Sequence, residues 1–388
     1  MLALLLAVVA SATAVALSGG DRKTPVGSGP GQVRPAAPHS YEVPRGAQLV
    51  ATAAQLRTVL RRPRPTDIVL ADGVYDGRRP FLNPYGHRLY ASRLGGAVLT
   101  AGLSLGGNAG RPRGLVRGVV FDVRDAAKTV DGAAVAVWGT AKNARVLDVT
   151  LLGNRILRAG LVVRQPEGFA AARLVVRGFT SYGVLVDAND LARDDLARPF
   201  RLVDLDVAGV ARHVPRSSDG TAEACVWIGN PGVVRRVRVR RCAWTGLWTG
   251  TAATGAVFDR IDVDQARTGV YVEHFTRRST FRRLRVGRQV RLGLVTEWAA
   301  PAWGGRAASV DNVIEDSRFE SWLAGVFLDT GTTRTTVRRT TFANQRWAAI
   351  GDYQGTENAY YGNDYSGITD GAAEVTEEHL GSFRGSDT

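Results

Sequence analysis

Lysine is nearly missing from this chain of 388 residues. Lys23, Lys128 and Lys142 are the only three, and all precede Ala144. Lysine chemistry is therefore excluded from the central and C-terminal parts. The 50 basic residues are almost all arginine and face 36 acidic ones, a formal charge of +14. Codon bias of a GC-rich genome accounts most simply for that arginine excess, together with 45 glycines. The functional reading of the same charge is an anionic partner, such as an acidic polysaccharide or an anionic envelope. Cysteine is equally scarce. Cys225 and Cys242 leave open one disulfide or two buried thiols, and they offer no Cys/His zinc spacing. Also absent are a Ser/His/Asp order, a Walker loop and a dinucleotide fingerprint. No nucleic-acid motif accompanies the positive charge. No helical run is long enough for a βαβ crossover.

What is present is a repeated phrase: small residue, apolar, any, apolar, then often a carboxylate. It reads Gly160-Leu-Val-Val-Arg164, Gly183-Val-Leu-Val-Asp187, Cys225-Val-Trp-Ile-Gly229, Gly246-Leu-Trp-Thr-Gly250 and Gly269-Val-Tyr-Val-Glu273. It continues as Gly293-Leu-Val-Thr-Glu297, Gly325-Val-Phe-Leu-Asp329 and Ala348-Ala-Ile-Gly-Asp352. The starts step by 23, 42, 21, 23, 24, 32 and 23 residues. Such a period marks a solenoid whose units bury their apolar faces only against each other. The alternation is that of a strand, and a second alternating run follows in almost every unit, as in Val233–Arg240 and Phe281–Val286. Leucine-rich repeats are excluded by the missing Leu-x-x-Leu-x-Leu pattern. A propeller would need four strands per roughly 40 residues. The expectation is an all-β chain, a single right-handed parallel β-helix of about ten coils at ~4.8 Å each.

The N-terminal end divides further. Met1 to Leu17 reads as a signal peptide, with an uncleaved anchor as the second reading, although a positive n-region is missing. No cysteine follows it, so a lipoprotein anchor is not expected. Residues 18–40 read as a linker, 41–370 as the β-helix domain and 371–388 as a tail. The expected location is secreted or attached to the cell envelope, with oligomeric state open. Leu56, Val59 and Leu60 have helical spacing and would form a short N-terminal capping helix over the open core. A strand and turn follow in Pro65-Thr-Asp-Ile-Val-Leu-Ala-Asp-Gly-Val-Tyr75.

Residues 51–77, ATAAQLRTVLRRPRPTDIVLADGVYDG, resemble the opening of pectate-lyase-like parallel β-helix proteins, including their alginate- and chondroitin-lyase branch. Those open with a helix and a pGDtIvLadGtY-type strand and turn; here Arg64-Pro-Thr-Asp-Ile replaces the usual Pro-Gly-Asp. The resemblance implies the fold and a carbohydrate-related role. It does not choose a reaction, since the group holds lyases, hydrolases, epimerases and inert stalks. The Asn-Thr-Asp and Gly-His-Gly motifs of the polygalacturonase branch are absent. The Asp-Pro-His motif of mannuronan epimerases has only a loose echo in Tyr271-Val-Glu-His274.

Strand alternation turns the second and fourth residues of each phrase inward and the third and fifth outward. The third position then carries Trp227, Trp248 and Tyr271 in successive coils, a stripe suited to the C–H faces of sugar rings. Stacking of these rings on one another and on a loop is the structural alternative. The long connections 188–199, 210–222 (with His213) and 299–308 (with Trp303) would wall a groove beside them. The fifth position carries Arg164, Asp187, Gly229, Gly250, Glu273, Glu297, Asp329 and Asp352. Four stacked carboxylates ~5 Å apart cannot all ionise without help from a proton, an arginine or a cation.

Carboxylates at that spacing suit a retaining glycosidase. The catalytic candidates are Glu273, Glu297 and His274, with Asp329 tuning one of them. The substrate-binding candidates are Trp227, Trp248, Tyr271, Arg277 and Asp187. Hydrolysis would need no cofactor. Glu297, Asp329 and Asp352 form a candidate Ca²⁺ cage that would bridge a uronate. Exposed acids paired with Arg277, Arg278 or Arg334 are the structural alternative. The partner expected is a polysaccharide, with no nucleic acid. Hydrolysis leads, lyase or C5-epimerase action on a uronate polymer is the rival, and a non-catalytic stalk or adhesin is the third reading.

Overall fold

The computed structural model describes residues 41–106, 113–138, 141–187, 198–210, 223–250, 253–297 and 309–375. The expected signal peptide and linker lie outside them. So do His213, Trp303 and most of the three long connections.

All ladders between named strands are parallel, and they gather into three sheets wound around one core. The coil is the right-handed parallel β-helix expected from the repeat. The first sheet runs from Phe81–Asn83 through Leu103–Leu105 to Ala133–Val137. It continues through Ala159–Val163, Tyr182–Val186, Ala224–Ile228 and Thr245–Thr249. It then takes the ends of the long strands Val257–Val272 and Arg285–Thr296, followed by Ala324–Leu328, Ala348–Asp352 and Ala372–Val375. The rungs beyond the repeated phrase lie at the two ends, and small residues such as Gly102, Ala134 and Ala373 hold its first position there too. The helix Ala53–Leu60 closes the N-terminal end with Leu56, Val59 and Leu60 buried, and Thr52 and Gln55 form its capping box.

The inward positions behave as alternation requires. Val184, Val186, Val226, Ile228, Val270, Val272, Val326 and Leu328 are buried. Phenylalanines stack along the core, with Phe258 and Phe281 4.8 Å apart and nearly parallel. The small first residue has its own cause. The ladder skips it, and it also faces inward: a Cβ on Gly183 would lie 2.4 Å from Val207 Cγ1 and 2.6 Å from the Cys225 carbonyl oxygen. Cys225, in that position, joins Cys242 of the same coil in a disulfide.

The second alternating run is not one straight strand. It bends between the second and third sheets at a residue of positive φ. Asp148, Arg173, Asp204, Arg236, Arg260, Arg283, Asp316 and Arg339 occupy that bend in successive coils. Left-handed backbone costs non-glycine residues energy, and here side-chain pairing across coils accompanies it. Arg173 pairs with Asp148, Arg236 with Asp204 and Arg339 with Asp316. Much of the arginine excess is thus spent within the molecule.

Candidate functional site

The register of the first sheet decides which outward side chains meet. Trp227 lies opposite Trp248, Trp248 opposite Tyr271, and Tyr271 opposite Val295. The rings touch, with centroids 5.8 Å apart for Trp227–Trp248 and 4.5 Å for Trp248–Tyr271. Tyr182 extends the row, 5.4 Å from Trp227. It comes from the residue before the small one, a position the alternating pattern assigns to no face. All three ring residues expected in the stripe are partly exposed. Further toward the N-terminus, Val162 and Leu185 in the same column are buried.

The carboxylate column begins beside the last ring. One oxygen each from Glu273 and Glu297 and one ring nitrogen of His274 lie within 4.8 Å of one another. Trp248 Nε1 donates to Glu273 Oε2 at 3.1 Å. Glu297 Oε2 accepts from the backbone N–H of His274 at 3.2 Å and faces His274 Nδ1 at 2.5 Å. The Tyr271 hydroxyl bonds to Glu297 as well. Trp248 and Tyr271 therefore each bond to the fifth-position acid of the next coil. His274 is 16% exposed and Glu297 27%, open enough for a ligand and closed enough to strengthen charge interactions.

These surroundings shift the protons. Burial pushes the Glu273 carboxyl up to about 7, and the nearby Glu297 charge adds to the rise. His274 is shifted upward: burial opposes its charge, but the Glu297 contact outweighs burial. Burial and the charges of Glu297, Glu273 and Asp329 push the Tyr271 phenol far above its ordinary value. Phe275, next to His274, has φ of 64°. A bulky aromatic residue rarely adopts this conformation, and such outliers gather at functional sites. The two rings meet edge on at 4.9 Å.

The other candidates are placed less centrally. Asp187 bonds to Arg164 Nη1 at 2.9 Å, and its charge reaches Glu273. Asp329 follows Glu297 in the column, and its backbone N–H donates to Thr296 Oγ1 at 2.8 Å. Arg277 sits in the turn after the trio, pairs along the main chain with Val310, and helps hold the Asp311 carboxyl down. Arg334 pairs with Asp311. Among the described residues the side-chain partners of Glu273 and Glu297 include Trp248, His274 and Tyr271.

Asp352 is a correction. Ile350, not Ala349, pairs with Val326, so Asp352 lies opposite Leu328 rather than beside Asp329. It accepts from Asn358 Nδ2 at 3.0 Å and Gly355 N at 3.1 Å and bonds to the Tyr360 hydroxyl. Tyr353 follows Asp329 in the outward column instead, its N–H donating to the Leu328 carbonyl. Two adjacent alanines hid this one-residue slip. The expected Ca²⁺ cage of Glu297, Asp329 and Asp352 is thus not assembled. The trio that could hold a cation is Glu273, His274 and Glu297, a mixed nitrogen and oxygen set unlike an all-oxygen calcium cage.

Sequence reasoning also missed Glu223, which is 7% exposed. Burial pushes its carboxyl up to about 7.

No protein-family model matches the chain, and no curated protein is similar to it in sequence. Solved structures are similar in shape. Tailspike protein 3 of bacteriophage CBA120 superposes with a TM-score of 0.56 at 12% identity, covering 85% of this chain and 53% of that one. The catalytic unit of a thermostable GH87 α-1,3-glucanase from Streptomyces thermodiastaticus strain HF3-3 gives 0.53 at 12% identity, covering 84% and 70%. The Dettilon tailspike protein gives 0.50 at 14% identity, covering 82% and 64%. The fold is a right-handed parallel β-helix. At these identities the likeness concerns the fold alone. This chain spans less than two thirds of the length of either tailspike chain.

Proposed function

We propose that this β-helix is an exported glycoside hydrolase that holds a polysaccharide along its first sheet and cleaves it with Glu273 and Glu297. The observation that carries the reading is the trio of Glu273, His274 and Glu297 within 4.8 Å, placed at the end of a partly exposed aromatic row. Carboxylates this close suit a retaining mechanism, whose pair stands ~5–5.5 Å apart, rather than an inverting one at ~6.5–9.5 Å. Glu273 is the acid, because its raised pKa keeps a proton available near neutral pH. Glu297 is the nucleophile, with its oxygens fixed by His274 and Tyr271.

In the first step a Glu297 oxygen bonds to the anomeric carbon. The glycosidic C–O bond breaks, and the Glu273 proton goes to the leaving oxygen. In the second step Glu273 takes a proton from water. That water's oxygen bonds to the anomeric carbon, and the bond to Glu297 breaks. The His274 proton stabilises the Glu297 charge when it returns.

The rival is proton abstraction from a uronate by Tyr271. Its phenolate is the form that the surrounding carboxylates oppose most, which argues against Tyr271 as a base. The disulfide between Cys225 and Cys242 accords with an exported protein. The test is incubation with a panel of neutral and acidic polysaccharides. New reducing ends with retained anomeric configuration and no unsaturated-uronate absorbance are expected. Appearance of that absorbance would transfer the site to the lyase reading.

A further inference from the structure

The outward rings follow a rule that one of them breaks. Trp248 donates to Glu273 and Tyr271 bonds to Glu297, in each case the fifth-position acid of the next coil. For Trp227 that position is Gly250. Its Nε1–H is buried and makes no hydrogen bond among the described residues. It points at the glycine: a Cβ on Gly250 would lie 2.5 Å from Trp227 Nε1 and 3.4 Å from Glu273 Oε2. One coil earlier, a Cβ on Gly229 would lie 3.4 Å from Asp187 Oδ1. A buried donor without an acceptor is costly in a finished core. Here it stands between two carboxylates, on a row of sugar-sized aromatic faces, next to the proposed acid.

We propose that Trp227 Nε1 and the two glycines form a recognition point for a sugar hydroxyl, and that the groove therefore takes neutral, hydroxyl-rich glycans rather than uronate polymers. This rests on the glycan-binding reading above and specifies its substrate class. A hydroxyl both accepts and donates. Its oxygen takes the indole proton, and its own proton goes to Asp187 or Glu273. A uronate carboxylate would satisfy the indole but could donate nothing, and it would bring a second negative charge up to the Asp187 carboxylate. That repulsion is the discriminating element. Trp227 is thus a specificity residue, not a reacting one.

The test is affinity electrophoresis of the intact protein in gels holding neutral α- or β-glucans, alginate or pectate. Wild type should be retarded by a neutral glucan and not by the uronate polymers. Trp227→Phe keeps the ring and loses the donor. It should weaken neutral-glucan binding roughly 5–20-fold, the scale of one hydrogen bond to a buried donor. Gly250→Ala forces the indole to move and should weaken it similarly. Trp244→Phe, at an exposed ring outside the row, should change it less than about twofold, on the scale expected of an exposed surface site. Melting curves of each variant separate misfolding from lost recognition. Neutral binding unchanged in both Trp227→Phe and Gly250→Ala would overturn the recognition point and leave the glycan groove standing. Wild-type binding confined to alginate or pectate would overturn the substrate class. Wild-type binding to none of the polymers would overturn the groove itself and this inference with it.

Discussion

Two charged columns run along the same rod and are built on opposite plans. At the bend between the second and third sheets, signs alternate from Asp148 to Arg236 and again from Arg283 to Arg339, with Arg260 between the two runs. Arg173 meets Asp148, Arg236 meets Asp204 and Arg339 meets Asp316. A neighbouring column adds Asp259, 2% exposed in its side chain and faced by Arg235, Arg282 and Arg283. On the first sheet Glu273, Glu297 and Asp329 repeat one sign, and the first two take Trp248, His274 and Tyr271 as partners. The same rung spacing thus supports both arrangements. Alternation neutralises itself and holds coils together. Repetition of one sign raises a pKa and holds a proton where chemistry can use it.

Substitutions can break this contrast, and the largest effect belongs to the one-sign column. Glu297→Gln should lower kcat by at least ~10³-fold and Glu273→Gln by ~10²–10⁴-fold, the usual worth of a lost nucleophile or acid. Melting temperature should change little in either, because the column faces outward. Turnover that survives both substitutions would remove the catalytic assignment.

The pH dependence comes next. Activity should fall as pH rises through about 7, because Glu273 must keep its proton. The stability sign agrees. A carboxyl whose pKa is raised from 4.5 to about 7 contributes fully below the lower value and loses that contribution as pH rises through the upper one. Urea midpoints of wild type should therefore drop relative to Glu273→Gln between pH 5 and 8, roughly the window between those two values. Parallel midpoints across that window would show that Glu273 titrates normally.

In the alternating column the effect should fall on stability alone. Asp259→Asn should cost ~2 kcal/mol, less than the ~3–5 of a fully buried broken pair, because the three guanidinium groups can turn toward water. Its kcat should match wild type. Arg236→Ala, at an exposed pair, should change stability by less than ~1 kcal/mol. A large loss of activity in either variant would show that the two columns are not separable.

Periodicity alone located much of this. The phrase around Gly269 and Gly293 placed Tyr271, Glu273, His274 and Glu297 together, because a solenoid converts residue spacing directly into rung spacing. The capping helix was equally readable from Leu56, Val59 and Leu60. Failures came where more than one residue could fill a role. Ala348 and Ala349 are both small, so only pairing to Val326 reveals which one starts the strand and where Asp352 falls. Tyr182 precedes its glycine, and simple alternation fails there because Gly183 and Val184 both face inward. The left-handed backbone at Phe275 has no compositional signal, since the residue type argues against it. The cysteine spacing allowed a disulfide or two thiols, and only the coil geometry decides between them.

Gly250 carries a consequence for how such a groove changes over generations. A single base change in any glycine codon yields aspartate or glutamate. That acid would push the Trp227 indole aside and extend the acidic row by one coil toward Asp187. The proposed glycan site and a longer acidic row are therefore one base change apart. The length of the binding surface is written in single codons along the repeat, and the scaffold beneath it need not change.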